Sequence, residues 1–274
     1  MIVDAWCQHP TQQFLADPMF ATLRRWVGSD GMPPELPPDL TAQAMEAISG
    51  VGLLSAWHGP QGALIPNDAV AASVAAAPDR LVGIASVDLR RPMDAVRELR
   101  RCVKTLGFRG LRMLPWLWEV PPDDRRYYPL YAECIELDVP FCTQVGHAGP
   151  LRPSEPGRPM PYLDVVACEF PELRIVAGHV GVPWLGEMLS LLRKYDNVYV
   201  DTSAWSPRRF PPELVAYLAG RGRHKVLFGS NWPMLVPAVC LAEVDALGLD
   251  DEARAAFLGG NAAEVFGLSE RLGL

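Results

Sequence analysis

The chain has 274 residues, of which 49% are hydrophobic and 21% charged, a balance that excludes wholesale disorder. Its 25 basic residues against 32 acidic ones leave a net charge of −7, which argues against a nucleic-acid partner. No apolar run reaches the roughly 18 residues of a membrane span, and no basic leader is present, so a cytoplasmic protein without a membrane partner is expected. The cysteines Cys7, Cys102, Cys134, Cys142, Cys168 and Cys240 are scattered singly, which fits reduced thiols.

Eight short apolar or β-branched runs recur at intervals of roughly 30 residues. In chain order they are Ile2–Trp6, Val51–Trp57, Leu81–Val87, Phe108–Leu114, Pro140–Val145, Leu173–Gly178, Val198–Asp201 and Lys225–Gly229. Between them lie stretches with helical periodicity, among them Pro92–Leu106, Tyr127–Leu137, Pro183–Lys194 and Pro211–Ala219. Runs that are apolar throughout, rather than alternating, predict strands buried on both faces, hence a parallel sheet. Eight such units in one chain predict a single domain over 1–274, a closed (β/α)8 TIM barrel. An open doubly wound sheet is the alternative. It calls for a glycine-rich turn after the first strand, whereas this strand runs into Cys7-Gln8-His9-Pro10.

In a barrel of this kind the chemistry sits at the C-terminal ends of the strands. Those ends carry four of the five histidines and six of the eight tryptophans. The histidines are His9, His58, His147 and His179, and the tryptophans are Trp6, Trp57, Trp116, Trp118, Trp205 and Trp232. Arg112 ends strand 4 and is the expected anchor for an anionic substrate. Pro150, Pro153, Pro156 and Pro159 recur every third residue, which predicts a polyproline II lid. Its Arg152 and Arg158 would then hold a carboxylate. The clusters Pro33–Pro38 and Pro121–Pro122 read as rigid loops.

The segments Gly107–Arg112, Phe170–His179, Asn197–Ser203, Val226–Pro233 and Gly260–Ala262, in this order, resemble the amidohydrolase-related branch of the amidohydrolase superfamily. That is the branch of the aminocarboxymuconate-semialdehyde decarboxylase-like enzymes. The resemblance implies a divalent metal held by a D-x-H-x-H strand, a strand-5 histidine and a strand-8 aspartate. Carried over, those ligand positions hold Trp6, Gln8, Gln144 and Asn231. None of the four can supply an imidazole, thiolate or carboxylate to a zinc-like ion. The family's strand-6 histidine is kept as His179.

The expectation is therefore an amidohydrolase-like hydrolase without metal or other cofactor. Its substrate would be a small, anionic, aromatic or polyketide-like acid, ester or lactone. His179 is the first candidate base, with His147 and His9 behind it. Gln8, Gln144 and Asn231 are expected to form an oxyanion hole, and Trp6, Trp116, Trp118, Asp201 and Trp232 to line the pocket. Three alternatives stay open. One is a non-oxidative decarboxylase on the same scaffold. Another is a relocated metal at His9, His147 and His179, completed by Glu155 or Asp201. The third is a ligand-binding pseudoenzyme. A homodimer is compatible with the sequence.

Overall fold

The structure, a computed structural model, describes residues 1–26 and 36–273. Residues 33–35 of the first proline cluster lie outside the described residues. All eight expected runs are strands. They are β1 (Ile2–Cys7), β2 (Gly50–Ser55), β3 (Leu81–Ile84), β4 (Leu111–Met113), β5 (Phe141–Gln144), β6 (Ile175–Gly178), β7 (Val198–Asp201) and β8 (Val226–Leu227). Every pairing in the order β1-β2-β3 and β4-β5-β6-β7-β8 is parallel.

Two seams join these halves. The Ala85–Leu111 bridge, with Arg112 N–H donating to the Ala85 carbonyl at 2.7 Å, joins β3 to β4. The Cys7–Trp232 bridge, with Ala5 N–H donating to the Phe228 carbonyl at 2.9 Å, joins β8 back to β1. The barrel is thereby closed and has no free edge.

The helices follow from their periodicity. Pro92–Lys104 begins on a proline, where a missing N–H costs nothing, and buries Ala95, Val96, Leu99 and Cys102. Tyr128–Glu136, Leu185–Lys194 and Pro212–Ala219 pack in the same way on the outer face of the barrel. A smaller cluster of Val3, Ala5, Leu53, Ile84, Cys142 and Val176 is joined by Phe266 from the C-terminal segment. Phe266 packs near Gly110, just before β4, and so sits at the N-terminal end of the strands. That leaves the C-terminal end open for a site.

Two local features depart from the expected pattern. The β1 ladder slips between Asp4 and Cys7, a bulge that re-aims the residues after it. An antiparallel hairpin, Trp57–Gly59 with Gly62–Ile65, takes Trp57 out of the second strand and brings it to the barrel mouth.

Candidate active site

A cleft of about 720 Å³ opens where the strands end. Gln8, Gln144 and Asn231 form part of its floor, and His179 and His147 line it beside them. Phe14, Phe20, Trp57, Trp116 and Trp205 supply flat apolar walls.

The amides are held in hydrogen bonds, Gln8 with Asn231 and Gln144 with Trp116. Gln8 Nε2 donates to Asn231 Oδ1 at 3.0 Å and to the Trp232 carbonyl at 2.6 Å, and Gln8 Oε1 accepts from Trp6 Nε1 at 3.0 Å. Both amide hydrogens of Gln8 are therefore in use. Gln144 Oε1 accepts from Trp116 Nε1 at 2.7 Å, while its Nε2 donates to the His147 carbonyl at 3.3 Å. Among the described residues Asn231 Nδ2 reaches only the Met234 sulfur, at 3.4 Å. The expected three-amide oxyanion hole thus shrinks to one spare N–H on Gln144 and one on Asn231.

His179 sits at the buried end of the cleft, in the left-handed region at φ 74°. Its Nδ1 is 2.6 Å from Ser203 Oγ, and Ser203 in turn bonds to Asp201 Oδ1. Asp201 Oδ1 also accepts the Ser203 N–H, at 3.0 Å. Oδ1 is an acceptor twice over, so the Ser203 hydroxyl donates to it and accepts from His179 Nδ1–H. The imidazole is then fixed with Nε2 bare among the described residues. Burial holds its pKa down at about 3, and the nearby Arg112 charge adds to the effect. At neutral pH the free site presents a neutral imidazole rather than one poised near pH 7. Burial pushes the Asp201 carboxyl up.

Several candidates lie elsewhere. Arg112 is buried beneath the floor, with its guanidinium carbon 3.8 Å from the Trp6 ring centroid. It donates to Ser55 Oγ and, at 2.8 Å, to the Ala5 carbonyl. It does not line the cleft, so it anchors Trp6 rather than a substrate. Trp6 is likewise under the floor, its ring 4.5 Å from that of His179. Asp201 stands behind Ser203. His9 Nδ1 and Trp232 Nε1 both turn to Thr41 Oγ1, at 2.8 and 3.1 Å. Trp118 stacks on His58.

The proline loop is not polyproline II. It turns through a 3-10 segment at Glu155–Gly157, and its arginines are occupied at its edges. Arg152 pairs with Glu119 at 3.0 Å, and Arg158 donates from Nε to Glu187 at 3.0 Å. Neither lines the cleft, although Pro150 does. The cleft also takes in Phe14, Phe20, Arg24, Arg208 and Arg209. These sit in helices and turns beyond the strand ends, where period-2 patterning gives no signal. The one available cue is the Pro207-Arg-Arg turn that follows β7.

The donor set does not fit a divalent ion. An indole and three hydrogen-bonded amides occupy the four positions. A Cβ added at Gly178 would fall 2.4 Å from Trp6 Cζ3, so the indole lies hard against the end of β6. Among the described residues no group of three or more His, Cys, Asp or Glu is placed to hold a metal. The relocated set of His9, His147 and His179 is not assembled, and Glu155 is bonded to the Tyr162 hydroxyl.

Comparisons with known proteins agree with this architecture. The chain is 28% identical to a gamma-resorcylate decarboxylase of Rhodococcus jostii (strain RHA1) over 257 residues, 74% of this chain and 75% of that one. It is 28% identical to a 2-keto-4-carboxy-3-hexenedioate hydratase of Sphingobium sp. over 245 residues, 73% of this chain and 70% of the relative. The uncharacterized TIM-barrel protein Bb4693 of Bordetella bronchiseptica superposes with a TM-score of 0.82 at 22% identity, covering 98% and 99% of the two chains. The amidohydrolase family model matches residues 9–268, and with that match the chain belongs to the amidohydrolase family.

Proposed function

We propose that the chain is a non-oxidative decarboxylase of a planar, conjugated carboxylic acid, working without a divalent ion. The observation that carries this reading is a flat-walled cleft free of carboxylates among the described residues, with the neutral imidazole of His179 at its floor. The two relatives, a decarboxylase and a hydratase, point to lyase chemistry rather than to the hydrolysis expected from sequence.

The step would run as follows. The substrate carboxylate enters beside His179, and its negative charge raises the imidazole pKa, so that Nε2 takes a proton from water and the hydroxide left behind returns to solvent. The imidazolium gives that proton to the carbon bearing the carboxylate. The C–C bond then breaks, its electron pair returns to the conjugated system, and carbon dioxide leaves. His179 ends neutral, as it began. Ser203 and Asp201 hold the ring and stabilise its charged form.

A second reading has one specific observation behind it. A neutral imidazole with a bare Nε2 is also suited to take a proton from water, as hydration or ester hydrolysis requires.

The test is incubation in D2O with dihydroxybenzoic acids and hydroxybenzene-1,3-dicarboxylic acids labelled with carbon-13 at the carboxyl groups. Labelled carbon dioxide together with deuterium at the vacated carbon is the expected result. A product that keeps its carboxyl and gains the elements of water would replace decarboxylation with the second reading.

A further inference from the structure

The cleft differs in charge from the rest of the molecule. The chain carries 32 acidic residues against 25 basic ones, yet among the described residues no carboxylate lines the cleft. Arg24, Arg208 and Arg209 line it instead. They come from two separate elements, the helix Ala21–Trp26 after β1 and the turn Pro207–Arg209 after β7.

Arg24 is half-buried and held in place. Its Nη1 donates to the Leu15 carbonyl at 2.6 Å and to the Asp17 carbonyl at 3.1 Å. Among the described residues, Nε and Nη2 have no partner and can meet a ligand. Arg208 pairs with Glu243 at 3.4 Å. Arg209 is exposed and forms no ion pair among the described residues. Guanidinium groups gathered in a cleft with apolar walls repel one another unless an anion joins them. The same walls raise the worth of a charge-assisted bond to that anion.

We propose that Arg24 and Arg209 form a second anion subsite at the cleft rim, so that the substrate is a dicarboxylate. One carboxylate lies at the buried end by His179. The other lies at the rim, and a planar unsaturated spacer between them packs on Trp57, Trp116 and Trp205. Arg208, already paired with Glu243, supports the field without needing to touch the ligand. The subsite rests on the lyase reading only for which carboxylate reacts. The pairing of two anions with two ends of the cleft stands on the lining residues.

Calorimetric binding of benzoate and benzene-1,3-dicarboxylate to the whole chain tests it without turnover. The dicarboxylate is expected to bind at least about tenfold more tightly, a difference of about 1.4 kcal/mol. Arg209→Gln and Arg24→Lys should each remove most of that preference and leave benzoate affinity unchanged. The preference should also shrink at 1 M salt, where the screening length is about 3 Å. Equal affinity for the two acids overturns the subsite. So does a preference that Arg209→Gln leaves intact, and Arg209 is exposed enough that its replacement leaves the fold alone. An arginine-dependent preference without release of carbon dioxide keeps the subsite and removes the decarboxylase. Release of carbon dioxide from a monoacid, with no arginine dependence, does the reverse.

Discussion

His179 is held in one tautomer by a short chain of partners, and that chain decides what it can do. Ser203 and Asp201 consume its Nδ1 proton, and burial keeps the ring neutral in the free site. Replacing it with Asn keeps a similar volume but removes the proton carrier. His179→Asn is expected to lower kcat by roughly 10²–10⁴ with the fold retained. The pH profile separates its two roles. If His179 acts as an acid, the required form is the minor one above its depressed pKa. kcat/KM then falls about tenfold for each pH unit between 5 and 8. If it acts as a base, the required form is already complete, and the profile is flat over the same range. A flat profile would retire the decarboxylation step and favour attack by water. Arg112 carries the lesson at this scale. Its place at the end of a strand gave the correct element but not its depth. A strand-end arginine can reach the cleft or lie one layer down, and the indole of Trp6 in the layer above settles which.

At the scale of elements, the barrel depends on how β1 meets the segment after β8. Asp4 makes that seam. Its Oδ1 accepts Ser230 N–H at 2.9 Å and Trp6 N–H at 3.1 Å, and its Oδ2 accepts the Ser230 hydroxyl. Removing the carboxylate leaves buried donors unpaired, at roughly 1–3 kcal/mol each. Asp4→Ala is therefore expected to lower stability by at least about 3 kcal/mol, read as a lower urea midpoint with an unchanged slope. Burial raises the Asp4 pKa from 3.8 to about 6, so the folded state holds this proton more tightly than the unfolded chain. The associated stability is complete below pH 3.8 and is lost as the pH rises through about 6. Asp4→Asn should flatten that decline, and an equally steep decline in the variant would assign it to another group. The strands were legible because buried parallel strands are apolar at every position. The proline loop was not. Proline fixes φ near −65° in both polyproline II and a 3-10 turn, and ψ, which separates them, is set by packing against the barrel.

At the scale of the whole molecule, charge decides what the barrel mouth can hold. A divalent ion in a barrel mouth needs carboxylates and imidazoles to balance and bind it. Here an indole and three hydrogen-bonded amides, Gln8 paired with Asn231 and Gln144 with Trp116, occupy those positions, and the guanidinium of Arg112 lies under the indole. Buried positive charge is thus present without an ion, partly balanced by Asp201 across the same interior. Family resemblance alone could name the four altered positions. It could not show that Trp6 fills the space against Gly178, because filling depends on the bulge in β1. The purified protein is expected to hold far less than one equivalent of zinc, manganese or iron after dialysis. Chelator should leave both its melting temperature and its turnover unchanged, since no folding energy is linked to metal. A combined Trp6→His, Gln8→His, Gln144→His and Asn231→Asp variant restores the ligand chemistry and should gain zinc with a rise in melting temperature on loading. Near-stoichiometric metal in the unaltered protein, with turnover lost on chelation, would overturn this account of the site and return the reaction to metal-assisted chemistry.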